Sequence, residues 1–364
     1  MKKKVIVLGA TGTIGRNTLS VIDSHSDEFT TDMITAHSRK EELAELAARY
    51  NARTFTTDTE TVLREIRESD ADIVVNGIAG AAGLLPSFET ARSGKRLALA
   101  NKESIVMAGP LLLEEARRNS CEIIPVDSEH AALFELQKLV PPEQIAEIVI
   151  TASGGAFRDL PFEELENVTP EQALNHPTWK MGPKITVDSA TMANKGLEVI
   201  EAVYLFHRSP DLIRVLIHPQ SRVHALIRTT EGSFFSQISA PDMRIPIQNA
   251  LTYPGKSFGS CPDTDLTVAD LSFRKPDLRK YPMLPLAYRA AAEGLSATIT
   301  YNAVNEIAVD AFFRRQLSFF GIARLTEAVL DLPLPATPQT LTEVTAADAA
   351  ARSAARRLLE NGFS

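Results

Sequence analysis

The stretch VIVLGATGTIG, Val5 to Gly15, decides the fold. Val5 to Leu8 read as a short buried strand, and glycines follow at positions 9, 12 and 15. That spacing suits a tight turn, close approach of a pyrophosphate to the backbone, and packing of a helix against a strand. The N-terminal N–H groups of the helix then face the phosphates. A Gly-rich turn alone is weak evidence, but here a strand precedes it and a helical period over Ile14 to Ser24 follows. Outward from it, Met33 to Ala36, Ile73 to Val75, Leu97 to Ala100 and Glu122 to Val126 read as further strands. Helices are expected over Lys40 to Tyr50, Pro86 to Arg92 and Pro110 to Asn119. The alternation predicts an α/β fold with a doubly wound parallel sheet.

Past Val126 the pattern becomes mixed. Strand-like runs at Ile148 to Thr151, Val215 to His218, Val223 to Thr229 and Ser233 to Ile238 surround a helix carrying Asn194 to Glu198. The expected organisation is a Rossmann-like nucleotide-binding domain over 1–125 and a central α/β catalytic domain over 126–252. A polar, Pro-bearing connector over 253–281 and a C-terminal helical domain over 282–364 follow.

Composition narrows the partners. Among 364 residues, 38 Lys and Arg stand against 46 Asp and Glu, giving a net charge of -8, and no basic cluster is interleaved with stacking aromatics. Nucleic acid is therefore not expected as a partner. The MKKK start is followed by an apolar run too short for a signal peptide, and no stretch reaches transmembrane length, so no membrane association is expected. Cys121 and Cys261 are the only cysteines, without CxxC spacing, which suits a reducing, cytoplasmic setting.

Two stretches carry chemistry. In PVDSEH, Asp127 and Glu129 are two apart at the end of an apolar run, so an extended chain points both carboxylates to one face. In SATMANKGLE, Asp188 or Ser189 can cap a helix on which Asn194, Lys195 and Glu198 share a face through i, i+4 and i, i+3 spacing. Three carboxylates beside phosphate-binding groups suit a hard divalent cation and a phosphorylated substrate. Where an NAD site presents an acidic residue, the second strand here ends in AHSRK, so His37, Ser38 and Arg39, with Lys40 beside them, are expected to hold the 2'-phosphate of NADP. Trp179, the single tryptophan, lies among Pro177, Gly182 and Pro183 on an expected loop, where a large indole needs something apolar to cover.

GATGTIG, LANKE, PVDSEH, TASGGAFR, NHPTWKMGPKITVDSATMANKGLE, HPQSRVHA, PDMRIPI and NAVNEIAV, in this order along the chain, resemble the 1-deoxy-D-xylulose 5-phosphate reductoisomerase family. The resemblance implies a homodimer of three-part, V-shaped subunits, formed through the central domain. It also implies NADPH with Mg2+, Mn2+ or Co2+, and conversion of a small phosphorylated sugar to 2-C-methyl-D-erythritol 4-phosphate in isoprenoid synthesis. Carried over residue by residue, it puts the metal on Asp127, Glu129 and Glu198. Phosphate falls to Ser153, His176, Ser189, Asn194 and Lys195, and a substrate hydroxyl to Ser128. Lys102, on the loop after a strand, is expected near the substrate as a proton-transfer group, and His224 as a site or supporting histidine. Trp179 and Met181 are expected on a lid over the substrate carbons and nicotinamide. Cofactor contacts fall on Thr11, Gly12, Thr13, Ile14, His37, Ser38, Arg39, Asn101, Glu103, Gly182 and Met243.

A metal chelated by carbonyl and hydroxyl oxygens suits carbon–carbon cleavage in a retro-aldol step, followed by re-addition and hydride transfer. Ala10 stands where a Ser is common in the family, and Asn76 with Gly77 follows Val75 where an apolar residue is usual. A catalytically silent nucleotide-binding relative has no chemical reason to retain Asp127, Glu129, Glu198, Lys195 and His176 together. A metal-free NADP dehydrogenase has no use for the carboxylate triad.

Overall fold

The computed structural model describes residues 2–55, 58–255, 261, 264–267 and 270–363. In chain order the first elements are β1 (Lys3–Leu8), α1 (Thr13–Ser24), β2 (Phe29–Thr35), α2 (Lys40–Tyr50), β3 (Arg53–Phe55), α3 (Thr59–Glu68), β4 (Ile73–Asn76) and α4 (Leu84–Arg92). Then come β5 (Arg96–Leu99), α5 (Lys102–Arg118), β6 (Ile123–Pro125), α6 (Ser128–Leu136), β7 (Ile145–Ala152), α7 (Pro170–Ala173), α8 (Pro183–Thr191) and α9 (Ala193–Leu205). β8 (Ile213–Ile217), β9 (Val223–Thr229), β10 (Phe234–Ile238), α10 (Arg244–Thr252), α11 (Met283–Glu293), α12 (Leu295–Phe313), α13 (Phe319–Leu330) and α14 (Leu341–Glu360) complete the chain. Of the expected connector 253–281, residues 256–260, 262, 263, 268 and 269 lie outside the described residues.

The backbone forms two compact units. The first comprises Met1–Ser104, Leu112–Glu135 and Ser239–Thr264; the second comprises Ile105–Leu111, Leu136–Ile238 and Asp265–Ser364.

The first unit holds a six-stranded parallel sheet in the order β3-β2-β1-β4-β5-β6, the order of dinucleotide-binding sheets. Both its faces are covered, which is why β1 is apolar from Val5 to Leu8, after Lys3 and Lys4 at its outer end. Val5 and Val7 face a core shared with Leu19 and Ile22 of α1 and Ile247 and Leu251 of α10, while Ile6 and Leu8 face Val62 and Ile66 of α3. β3 and α3 are additions to the expected elements. β3 is a three-residue edge strand, and α3 buries Val62 and Ile66, one helical turn apart on the same face. Arg96 anchors the 239–264 segment by donating from Nη1 to the Tyr253 carbonyl at 2.6 Å.

The second unit contains a four-stranded sheet, β10-β9-β7-β8, in which β7 pairs parallel to β8 and antiparallel to β9. Its helical core joins Val187, Leu197 and Ile200 of α8 and α9 to Val304, Phe312 and Leu325 of α12 and α13.

α5 starts at Lys102 and not at Pro110, because Asn101 caps it by accepting the Ser104 N–H at 3.0 Å. Pro110 lies inside this helix, where it lacks the N–H that would bond the Val106 carbonyl; Ala108 departs from helical geometry there. Within the second unit, Thr298 Oγ1 donates to the freed Val106 carbonyl at 2.8 Å.

The Gly-rich turn is tightly packed. A Cβ on Gly15 would lie 2.4 Å from both the Gly9 carbonyl oxygen and Ala10 Cα, whereas one on Gly12 would meet only the Gly9 oxygen at 3.2 Å. Gly15→Ala is therefore expected to cost about 1–3 kcal/mol of stability, with Gly12→Ala the milder change. Denaturant unfolding of both variants checks this, and equal losses would contradict the assignment.

Candidate functional site

In the first unit the expected nucleotide-binding residues start at the end of β1. Gly9 takes a φ of +78°, and a Cβ there would lie 2.8 Å from the Gly77 carbonyl oxygen. The turn is held across the sheet: the Ala10 N–H donates to the Thr35 carbonyl at 2.7 Å and the Gly9 N–H to Thr35 Oγ1 at 3.2 Å. Gly12 caps α1 without a side chain, so the first-turn N–H groups of Thr13 and Ile14 present the positive end of the helix to an anion. Thr11 is buried beneath, and Ile14 packs against the unit's core. His37, Ser38, Arg39 and Lys40 are exposed just past β2. Met243 packs against the same core from the start of α10.

Asn101 and Glu103, expected at the cofactor, are buried side by side. Asn101 Nδ2 donates to the carbonyls of Ile78 and Gly80 and to Glu103 Oε2 at 2.8, 2.8 and 3.0 Å. Asn76, the departure from an apolar pattern, is fully buried and donates to the Gly83 carbonyl at 2.9 Å and to Ser87 Oγ at 2.8 Å. Ser87 continues to Ser104, and Ser104 to Asn101. Asn76 therefore belongs to a polar network that shapes the loop beside the Gly-rich turn. The sequence flagged it only as out of pattern.

The same unit carries Lys102, Asp127, Ser128 and Glu129. Lys102 is the first residue of α5 and not a loop residue, since the Asn101 cap brings the helix forward. Its Nζ lies 2.6 Å from Asp127 Oδ2, both side chains largely out of water. His130, fully buried, brings Nδ1 to 3.7 Å from the same oxygen. Burial pushes the Asp127 carboxyl up, but the Lys102 charge and the His130 ring outweigh it and hold it well below the usual carboxylate range. The extended spacing expected for Asp127 and Glu129 is corrected: β6 ends at Pro125 and α6 begins at Ser128, putting Glu129 in a helix's first turn. Asp127 occupies the position before that helix and its carbonyl accepts the Ala131 N–H at 2.8 Å. Ser128 is the first residue of that helix, and its Oγ donates to Glu129 Oε2 at 2.5 Å.

The remaining expected site residues lie in the second unit. Asp188 and Ser189 fall inside α8, so neither caps the helix that follows; Met192, at a φ of +60°, separates α8 from α9. On α9 the expected face is present: Asn194 Nδ2 donates to Glu198 Oε1 at 2.5 Å, and Lys195 Nζ pairs with Glu198 Oε2. Lys195 and Glu198 are buried. Asp188, also buried, takes Lys184 Nζ at 2.8 Å and Asn305 Nδ2 at 2.8 Å, which gives NAVNEIAV a supporting part. Gly155, at a φ of +70°, lies so close to α8 that a Cβ would stand 2.5 Å from the Ser189 carbonyl oxygen, which draws the loop after β7 onto that helix. Ser153 on this loop meets His176 at 2.8 Å.

His176 organises residues 175–182, which form no regular structure. Its Nδ1 accepts the backbone N–H groups of Thr178 and Trp179 at 3.1 and 2.8 Å, so the ring proton sits on Nε2 and is donated to Ser153 Oγ. Burial, and then the Arg158 charge, lower the His176 pKa to about 4. Trp179 and Met181 are half-buried and Gly182 is exposed at the start of α8. His224 is buried within β9, next to carbonyls bonded by Thr151.

Strand order, the Gly-rich turn and a helix N-terminus capped by no side chain put the chain among Rossmann-type nucleotide-binding proteins. The family model for 1-deoxy-D-xylulose 5-phosphate reductoisomerase matches residues 5–69 and 53–109, and models of its C-terminal domains match 123–206 and 238–354. The reductoisomerase of Thermomicrobium roseum is 44% identical, covering 99% of this chain and 98% of its own, and that of Idiomarina loihiensis 40%, covering 98% and 99%. A crystal structure of DOX-P reductoisomerase with NADPH, fosmidomycin and magnesium aligns at TM-score 0.93 and 34% identity, covering 98% of each chain. The Zymomonas mobilis enzyme with NADPH aligns at 0.91 and 37%, covering 99% and 100%. The chain belongs to the 1-deoxy-D-xylulose 5-phosphate reductoisomerase family.

The His176 arrangement sets a pH dependence. The folded ring takes up its proton only near pH 4, and an unfolded one near 6.5, so folding excludes a proton between these values and stability falls as pH drops through that window. Protonation of Nδ1 also removes the acceptor for the Thr178 and Trp179 amides. NMR titration should show an Nε2–H tautomer down to about pH 4, with Trp179 fluorescence in the unliganded protein changing at the same midpoint. Titration of His176 near 6.5 would refute it.

Proposed function

We propose that the protein converts 1-deoxy-D-xylulose 5-phosphate to 2-C-methyl-D-erythritol 4-phosphate, with NADPH and Mg2+, Mn2+ or Co2+. One observation carries the reading: of the three expected metal ligands, Asp127 and Glu198 each meet a buried lysine of their own unit, Lys102 and Lys195. Carboxylates kept ionised and fixed before the ion arrives suit a hard cation that prefers oxygen. Asp127, Glu129 and Glu198 would hold the metal, which when bound polarises the substrate's carbonyl and neighbouring hydroxyl. Lys102, near the substrate, would exchange a proton with these oxygens. Ser128 would position a hydroxyl. Ser153, neutral His176, Ser189, Asn194 and Lys195 would bind the phosphate through directional donors and one full charge.

NADPH supplies the hydride; Thr11, Gly12, Thr13 and Ile14 would hold its pyrophosphate, and His37, Ser38 and Arg39 its 2'-phosphate. Asn101, Glu103, Gly182 and Met243 would complete the cofactor contacts. Trp179 and Met181, on the loop that His176 organises, would cover the substrate carbons and exclude water, with His224 in support. In this division of labour, residues 1–125 bind nucleotide, 126–252 carry catalysis and dimerisation, 253–281 connect, and 282–364 form a helical support.

A homodimer is supported by β10. It is the edge of its sheet, and Phe234, Phe235 and Ile238 are 55%, 42% and 36% exposed, an apolar edge that isolated chains rarely leave uncovered. Cytoplasmic residence is supported by the free cysteines Cys121 and Cys261. Among the described residues no helix is long and apolar enough to cross a membrane.

Adding 1-deoxy-D-xylulose 5-phosphate, NADPH and Mg2+ to the pure protein should oxidise the nicotinamide, and chelator should stop it. Glu198→Gln should weaken metal-dependent turnover while NADPH binding stays nearly intact; full activity of that variant at limiting Mg2+ would sink the metal assignment. Sedimentation should give a dimer at micromolar concentration for the parent and a monomer for a Phe234→Lys, Ile238→Lys variant. A monomeric parent would rule the β10 interface out.

A further inference from the structure

We infer that Arg16 is a second guanidinium of the subsite for the 2'-phosphate of NADPH, acting beside Arg39; this rests on the NADPH reading above. Arg16 stands in the first turn of α1, directly after the Gly-rich turn. Its Nε donates to the Thr11 carbonyl at 3.2 Å, which ties the side chain to the pyrophosphate turn. Its Nη2 lies 2.5 Å from Glu42 Oε1, and the other oxygen of Glu42 takes Arg39 Nη1 at 3.4 Å. One carboxylate in the first turn of α2 thus gathers two guanidinium groups from different elements, at the end of β2 where dinucleotide sheets hold the adenosine ribose.

Stability does not explain this grouping. The Arg16 and Arg39 side chains are 57% and 51% exposed, and exposed ion pairs contribute little to folding. Recognition does. A guanidinium carries five N–H donors in a planar fork, so contact with Glu42 leaves donors on both arginines for phosphate oxygens. Two positive groups against one carboxylate also leave a net positive charge, which suits a phosphomonoester dianion and offers nothing comparable to a ribose hydroxyl. In an NAD site a carboxylate near this place accepts from that hydroxyl; here Glu42 is turned to the arginines instead.

The test compares dissociation constants of NADPH and NADH, by nicotinamide fluorescence, for the parent, Arg16→Ala, Arg16→Lys and Arg39→Ala. Arg16→Ala should weaken NADPH by about tenfold and leave NADH unchanged, Arg16→Lys should fall between, and 2'-AMP should compete less well against the alanine variant. Unchanged NADPH affinity would overturn the inference. Equal weakening of both cofactors would do so too, since Arg16 would then act only through the Thr11 turn. If Arg39→Ala removes the preference for NADPH while Arg16→Ala keeps it, the NADPH reading stands and the role of Arg16 falls. A parent that binds both cofactors equally would remove the NADPH reading itself.

Discussion

A carboxylate taken out of water must meet a positive charge, and this chain answers that demand inside each of its units. Lys102 meets Asp127, Lys195 meets Glu198, and Lys184 meets Asp188. Such buried pairs add little net stability, because desolvation offsets most of the attraction, yet removing one partner strands the other and is costly. A fold that kept them only for strength would do as well with apolar residues. Their value lies in what they hold ready: oxygen donors in fixed positions, with an ammonium beside each that can turn to an arriving anion.

The need to satisfy buried polar groups also explains motif residues that touch no chemistry. Asn305 in NAVNEIAV bonds Asp188, and Asn76 links through Ser87 and Ser104 to the cap of the helix that begins at Lys102. Thr298 meets the carbonyl that Pro110 leaves without a partner. The contacts of Asn305 and Thr298 join residues more than a hundred positions apart, and those of Asn76 and Ser87 support the helix start that carries Lys102. His176 does the same for the 175–182 loop through its Nδ1.

Much of the architecture was legible in the chain because its signals are local. The Gly-rich turn after a buried strand, the four strands of the second sheet, and the shared face of Asn194, Lys195 and Glu198 all follow from periods of two or 3.6 residues. β3 is too short an edge strand to show a period, whereas the i, i+4 pair Val62 and Ile66 of α3 was a helical signal present in the sequence. Asp127 and Glu129 were legible as ligand types but not as geometry: a capping carbonyl turns the chain into α6 one residue earlier than an extended reading allows.

Residue order by itself thus determined the class of sheet, the turn for a nucleotide, the kinds of donor in the site and, through long motifs, the family. Tertiary structure alone decided that Lys102 opens a helix against Asp127, that Asp188 is braced by Asn305, and that Arg16 and Arg39 share Glu42. The physical reason is range. Propensity and periodicity act over a few residues, whereas the pairing of a buried charge or an unmet amide is settled by whichever group the folded chain brings within about 3 Å, however far away it lies in sequence.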